Sequence, residues 1–223
     1  MKKQTQVFLV LAVMAVAFSS HAQGVEGSEG SGNAEIQTVF KGNKFASGGY
    51  GAFTNKFTNI NGQFANLAGI YGGWYVNHNF FIGAGASALT NDIRVPFEYR
   101  TDPLKDLSYM YGQVGMVNEY IVASNKPVHV AFSLFSGAGF TLQYEIQDWH
   151  TDDHHEMEWD GNEDVDWFFV AEPGVMVEVN VFKWMRFSPG ISYRATFGSD
   201  GKGLSDNKLS DISYNATLKF GKF

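Results

Sequence analysis

Long runs of alternating apolar and polar side chains constrain the fold of this chain more than any other feature. In 165–181 every odd-numbered position is apolar, while Asp166, Glu172 and Glu178 lie among the even-numbered positions. A period of two predicts β-strands with one apolar and one polar face. The same pattern continues in 128–144, 186–197 and 212–220.

These runs exceed the five or six residues of a usual globular strand and suit tilted strands that cross a membrane. Glycine-rich segments in the first half alternate more weakly, and the pattern in residues 107–122 does not indicate which side chains lie on which face of the strand. Counting all segments predicts about eight antiparallel strands. The earlier ones are expected near 47–57, 63–76, 80–90 and 107–122.

The predicted connections are sorted by length. Short ones at 77–79, 124–127 and 182–184 alternate with long polar ones, and only the connection near 59–62 breaks the contrast. Short turns at one end and long loops at the other are typical of barrels in outer membranes. The long connections are expected at 91–106, 148–164 and 199–209.

On these features, residues 45–223 resemble the small eight-stranded outer-membrane barrels, the OmpA/OmpX-like transmembrane domains of Gram-negative bacteria. The resemblance implies an all-β, closed, antiparallel, up-and-down transmembrane β-barrel of about eight strands. Such barrels commonly end on an aromatic residue, and this chain ends on Phe223. Phe223 nevertheless shares the polar face with Lys219, whereas the apolar face ends at Phe220.

The amino terminus predicts export. Lys2 and Lys3 precede an apolar run at 7–18, and Ser20-His21-Ala22 supplies a small-x-small cleavage pattern. The run is too short to span a bilayer, so residues 1–22 are predicted to be a cleaved signal peptide. A flexible linker is expected over 23–44, and the barrel domain over 45–223, located in the cell outer membrane.

Composition separates the possible classes. Charged residues make up 17% and aromatic residues 16% of the chain, whereas soluble domains carry about a quarter charged residues. After the signal, no apolar stretch is long enough for a membrane helix. Residues 148–166 hold nine Asp or Glu and no Lys or Arg, and a basic surface for nucleic acid is absent.

The polar face predicts ion pairs inside the barrel. A hairpin centred near Lys183 puts Glu172 opposite Arg194, and Glu178 diagonal to Arg186. Buried charges need such partners, because an unpaired one costs several kcal/mol. Pro173 and Pro189 interrupt the same two strands and lack the N–H that a closed sheet requires, so local bulges are expected at both.

The acidic segment predicts a possible weak site for external cations. Within it, Asp160-x-Asn162-x-Asp164 begins like a calcium loop, but Val165 and Ala171 stand where that loop needs Gly and Glu. A solvated acidic loop is the alternative interpretation. The candidate ligands are His150, Asp152, Asp153, His154, His155, Asp160, Asn162 and Asp164.

The sequence favours a non-enzymatic barrel with a structural or surface-binding role and a filled interior, because eight strands leave no open pore. A lipid-modifying enzyme is one alternative, but no histidine has an obvious serine partner. A soluble, exported, lipocalin-like ligand-binding barrel is the other. The expected partners are outer-membrane lipid and external cations, with no cofactor or nucleic acid, and the chain is expected to be a monomer.

Overall fold

Eight long strands account for most of the described chain. The computed structural model describes residues 47–77, 79–146 and 165–223. A 3-10 turn at Phe97–Tyr99 and a short helix, α1 (Asp206–Leu209), lie in two of the connections. The strands are β1 (Ser47–Ile60), β2 (Gln63–Val76), β3 (Phe80–Leu89), β4 (Leu107–Val122), β5 (Val128–Glu145), β6 (Asp166–Phe182), β7 (Met185–Phe197) and β8 (Asp211–Lys222).

The strands close into a barrel. Each pairs antiparallel with the next, and β8 pairs with β1. The predicted closed up-and-down barrel is therefore confirmed. A row of paired residues that starts at Ser47 and passes once around the barrel returns to β1 at Phe57, ten residues further on. This offset goes with strands tilted by about 40°.

The barrel is apolar outside and combines charged, polar and aromatic side chains inside. Its inward side chains include buried Glu119, Glu172, Glu178, Arg186 and Lys219. The ambiguous strand β4 turns its odd-numbered residues inward, among them Tyr109, Tyr111 and Gln113. Large apolar side chains on the outer wall are exposed on all eight strands, for example Phe53, Ile70, Ile82, Val114, Phe132, Val175, Ile191 and Tyr214.

The bulges expected at the two prolines are absent, so that prediction was wrong. Pro173 pairs in register with Leu134 of β5, and Pro189 with Ala216 of β8. Between β6 and β7 the ladder skips both proline positions and resumes in unchanged register. A missing N–H removes a ladder bond, but a bulge also needs an extra residue in one strand. The irregularity in this pair lies at Asn180/Phe182, beside the turn.

Glycine makes room for bulky inward side chains. A Cβ at Gly139 would lie 2.2 Å from the Phe168 ring, and one at Gly85 would lie 2.5 Å from the Tyr71 Cβ. Neither site could accept even alanine without displacing an aromatic neighbour. The interior is therefore packed by alternation of glycine with large residues, as the small diameter of an eight-stranded barrel requires.

The two ends of the barrel differ. The turn end has the connections 77–79, 123–127 and 183–184, and the loop end has 61–62, 90–106, 146–165 and 198–210. At the loop end, two of these connections send apolar side chains into the barrel mouth. The buried ones are Ile93, Val95, Leu204 and Leu209, which join one core cluster with Tyr109. Within the described ranges, no helix is both long and apolar enough to cross a membrane.

Candidate functional site

A cluster of charges fills the interior towards the turn end. Lys219 donates hydrogen bonds to both Glu119 and Glu178. Arg186 Nη1 lies 3.2 Å from Glu178 Oε2, and His129 Nε2 lies 2.9 Å from the same oxygen. These five side chains, here called the turn-end cluster, come from β4, β5, β6, β7 and β8. The cluster therefore ties together strands on different sides of the barrel.

Aromatic residues complete this cluster. Tyr50 and Tyr71 both donate hydrogen bonds to Glu119, the second at 2.8 Å. The Arg186 guanidinium lies 3.9 Å from the centroid of the Phe223 ring, which also contacts Tyr50 at 5.2 Å between centroids. Phe223 thus packs on the polar, inward side, as its register indicated, and closes the turn end over the charges.

A second interior cluster surrounds Glu172. Its Oε2 lies 2.6 Å from Lys56 Nζ and also accepts a hydrogen bond from Gln113 at 3.2 Å. Ser192 donates to Oε1 at 2.6 Å. Glu172 is buried, so these three donors replace the water that an exposed carboxylate would bind. We call these four residues the mid-barrel cluster.

The predicted ion pair between Glu172 and Arg194 was wrong. The register does place Arg194 opposite Glu172, between the pairs Ala171–Ala195 and Gly174–Ser192, and both residues are buried. Their side chains do not pair, however: Glu172 binds Lys56 of β1, and Arg194 binds backbone carbonyls at the loop end. By contrast, the contact expected between Glu178 and Arg186 is present in the turn-end cluster.

Arg194 instead binds the backbone of the loop end. Its Nε donates to the Leu209 carbonyl at 2.6 Å, and its Nη2 donates to the Asn59 carbonyl at 2.9 Å. The guanidinium also lies over the Tyr111 ring at 5.2 Å. One side chain therefore holds α1 and the end of β1 against the barrel interior.

A small cavity separates the two clusters. Its volume is about 60 Å³, room for roughly four water molecules. Glu119 borders it on one side, Glu172 and Lys56 on the other, with Ser87 and Thr217 between them. The cavity is a gap between packed layers that is large enough for water, and aromatic side chains and the loop-end residues pack beyond the clusters.

The connection 90–106 is held by a dense set of contacts. Arg100 makes an ion pair with Asp106 at 2.8 Å and donates to the Lys105 carbonyl at 2.8 Å. Gln143 of β5 accepts from the Thr101 N–H and donates to the Tyr99 carbonyl. These contacts give a long loop a fixed shape.

Further contacts fix both ends of this connection to the strands. Tyr144 donates to Asp92 at 2.6 Å, and Gln63 donates to the Arg94 carbonyl at 3.1 Å. Lys105 pairs with Glu145 at 2.8 Å, and that hydrogen bond and charge raise the pKa of the Lys105 ammonium. The connection is thus anchored on β2 and β5 at once.

The predicted cation ligands lie outside the described residues. This applies to His150, Asp152, Asp153, His154, His155, Asp160, Asn162 and Asp164 alike. Among the residues that are described, no group of three or more acidic or histidine side chains could hold a metal ion. The cation site stays a prediction from the sequence.

Sequence reasoning missed three of the interior charges as ion-pair partners. Lys56 and Glu119 lie in strands with weak or ambiguous alternation, and Lys219 was placed on the polar face without a partner. A signal was available, because Glu119 is the one charged residue in 107–122. An isolated charge within a strand of a filled barrel points to a buried partner.

Comparison with solved structures reveals the same fold. The barrel is similar to that of Neisserial surface protein A, with a TM-score of 0.54 at 9% identity, over 81% of this chain and 100% of that one. Ail of Yersinia pestis gives 0.43 at 12% identity, over 79% of this chain and 97% of that one. No protein-family model and no curated protein matches the sequence. The chain has the fold of the small eight-stranded outer-membrane barrels.

Proposed function

We propose that the chain is a non-enzymatic outer-membrane barrel protein with a structural or surface-binding role, which reaches the membrane by signal-peptide export. One observation carries this proposal: a closed wall of exposed Phe, Ile, Val, Trp and Tyr side chains surrounds an interior of buried charges. In water that arrangement would expose a large apolar surface, whereas lipid solvates the wall and leaves the charges paired inside. It is also the reverse of a soluble barrel that binds an apolar ligand.

The filled interior is evidence against ion conduction through the barrel. Lys219 joins two carboxylates across the lumen, and Phe223 packs over Arg186 at the turn end. At the other end, Ile93 and Leu209 are fully buried in the mouth. An ion would have to break buried ion pairs and displace packed residues, at a cost of several kcal/mol.

The surroundings of His129 support a role other than catalysis. A hydrolytic site needs a nucleophile within hydrogen-bond reach of its base. The two ring nitrogens of His129 face the Lys126 carbonyl at 3.1 Å and Glu178 at 2.9 Å. Both hydrogen-bonding positions of this ring are therefore occupied by structural partners.

Fractionation combined with gel mobility tests the membrane assignment. We expect the mature chain in the outer-membrane fraction, with faster migration when unboiled, because a closed barrel stays compact in detergent. Recovery in the soluble periplasmic fraction, with the same mobility before and after boiling, would contradict the proposal. Planar-bilayer recordings test the filled interior separately, and stable large conductance steps would count against it.

A further inference from the structure

We propose that the connection 90–106 carries a docking surface for a cationic, amphipathic peptide segment of a partner protein. This inference rests on the proposed function, since it needs the loop end to face the outside. Phe97 is 69% and Leu104 is 96% exposed, and Tyr99 between them is half-exposed. We call Phe97, Tyr99 and Leu104, with the neighbouring acids Glu98 and Asp102, the loop-end patch.

The apolar members of the patch do not belong to the lipid-facing wall. That wall is formed by outward side chains of the eight strands, whereas Phe97 and Leu104 lie between β3 and β4. Other apolar residues of the same connection, Ile93 and Val95, are buried in the barrel mouth. The connection therefore divides its apolar residues between a structural plug and an exposed surface, and exposed apolar surface marks interaction sites.

Arg100 brings the patch together. Its guanidinium lies 5.9 Å from the Phe97 ring centroid and donates to the carbonyl of Lys105, the residue after Leu104. The Leu104 N–H in turn donates to Asp102 at 2.9 Å. Arg100 therefore contacts the Phe97 ring directly and holds the backbone next to Leu104, so both residues belong to one connection with a defined backbone.

Contacts with the rest of the barrel hold the middle of the patch in place. Arg100 is paired with Asp106, and Tyr99 is fixed through Gln143 and packs beneath the Lys208 ammonium at 5.0 Å. A surface that is already ordered loses little conformational freedom on binding, so more of the contact energy appears as affinity. Exposed hydrophobic residues on a rigid loop are suited to recognition.

Charge selects the chemistry of the partner. Glu98 and Asp102 make no ion pair with any described residue, while the patch's cation Arg100 is already neutralised by Asp106. The connections 90–106 and 198–210, with Glu145, Asp166 and Asp211, carry nine carboxylates and five basic side chains. Lys105, the exposed cation next to Leu104, is paired with Glu145, and Arg94 is the next exposed cation towards the amino terminus.

This balance favours a partner that offers Lys or Arg together with apolar side chains. Basic groups would meet Glu98 and Asp102, and apolar side chains would pack against Phe97 and Leu104. Anionic polysaccharide or lipid head groups would be repelled, and a second copy of the same acidic patch would repel itself. A cationic amphipathic peptide satisfies both the apolar and the acidic parts of the surface.

Peptide binding to the folded barrel tests the inference. The full mature protein is placed in nanodiscs of zwitterionic lipid, and a fluorescent amphipathic Lys/Leu peptide is titrated, with empty nanodiscs as background. We expect saturable binding that weakens as salt is added. The substitution pair Phe97→Ser/Leu104→Ser should weaken it at least about tenfold, because exposed apolar anchors dominate such contacts.

Charge variants provide the matched control. Glu98→Gln/Asp102→Asn should weaken binding several-fold, while Asp200→Asn, an exposed acid on the other described connection, should leave it unchanged. A Glu/Leu peptide of the same pattern should not bind. Equal affinity of the parent protein and Phe97→Ser/Leu104→Ser, or equal loss from Asp200→Asn, would overturn the inference, since either means general attraction to an acidic end.

A second experiment distinguishes failure of the docking proposal from failure of the proposed membrane orientation. The chain has no cysteine, so Leu104→Cys gives a single label site. Labelling of intact cells by a membrane-impermeant maleimide shows the loop end outside. Labelling without peptide binding refutes only the docking surface, whereas absence of labelling in a protein recovered from the outer membrane refutes the orientation on which both proposals rest.

Discussion

The two ends of the barrel are closed by different physical means. At the turn end, buried charges and the Phe223–Arg186 contact close the interior, and the described turns carry Lys126 and Lys183 but no acid. At the loop end, two connections place apolar residues in the mouth, and Arg194 donates to backbone carbonyls instead of to a carboxylate. The turn end therefore depends on exact ionic partners, while the loop end depends on packing and can open locally.

The turn end should suffer most from loss of one charge. Glu178→Ala removes the carboxylate shared by Lys219, Arg186 and His129, leaving cations buried together. We expect the free energy of unfolding in lipid to fall by about 3–5 kcal/mol. Urea titration of the refolded barrel measures it, with Glu145→Gln, an exposed acid, as control. A loss no larger than that of the control would show that the buried ion pairs do not stabilise the turn end.

The loop-end plug should respond more locally. Ile93→Ala leaves a cavity where Ile93 is fully buried, which costs about 2–4 kcal/mol in a packed core. Hydrogen exchange should show the loss as faster exchange in 90–106, with the ladder of β6 and β7 unchanged. Equal acceleration throughout the barrel would show that the two ends are not independent.

Arg194 provides a sharper test of the loop end. Arg194→Met keeps the bulk of the side chain and removes the donors to Leu209 and Asn59. Because hydrogen bonds from charged groups contribute about 1.5–3 kcal/mol, we expect a loss of about 2 kcal/mol, focused on α1. Hydrogen exchange of residues 206–210 reports it. Unchanged protection there would show that the guanidinium does not anchor α1.

The smallest effect is expected at the surface of the loop end. Lys105→Ala breaks the exposed pair with Glu145, and such pairs contribute little because water and salt screen them. The pair raises the pKa of Lys105, so it stabilises the folded chain at pH values where the lysine is charged, and this contribution is lost as pH rises through that pKa. Since the side chain is exposed, parent and variant should unfold at the same urea concentration from neutral pH to pH 9. A clear difference between the two urea concentrations would show that this exposed ion pair contributes to stability.

Much of the fold was predictable because alternation reports which side of a strand faces inward. The bounds of β5 and β7 were predicted to within a residue or so, since one face there is nearly uncharged. The ambiguous β4 needed tertiary information, because Tyr, Val and Gly occur on both of its faces. A pattern within one strand indicates a face only when the two faces differ in polarity.

The ion-pair partners were less predictable than the strands. Glu178 and Arg186 lie in one hairpin, so local register was enough to bring them together. Glu172 and Lys56 are 116 residues apart in the chain and meet across the lumen only after the barrel closes. Which cation reaches a carboxylate then depends on barrel tilt and side-chain length, and neither is readable from a single hairpin.

Lipid contact of the outer wall is the central claim, and spin-label accessibility measures it most directly. Ile70→Cys places a label on an exposed outward position of β2, and Leu104→Cys places one on the loop-end patch. In bilayers we predict that the label at 70 is accessible to oxygen and protected from a water-soluble nickel reagent, with the reverse at 104. Equal access of the nickel reagent to both positions would contradict a membrane-spanning barrel.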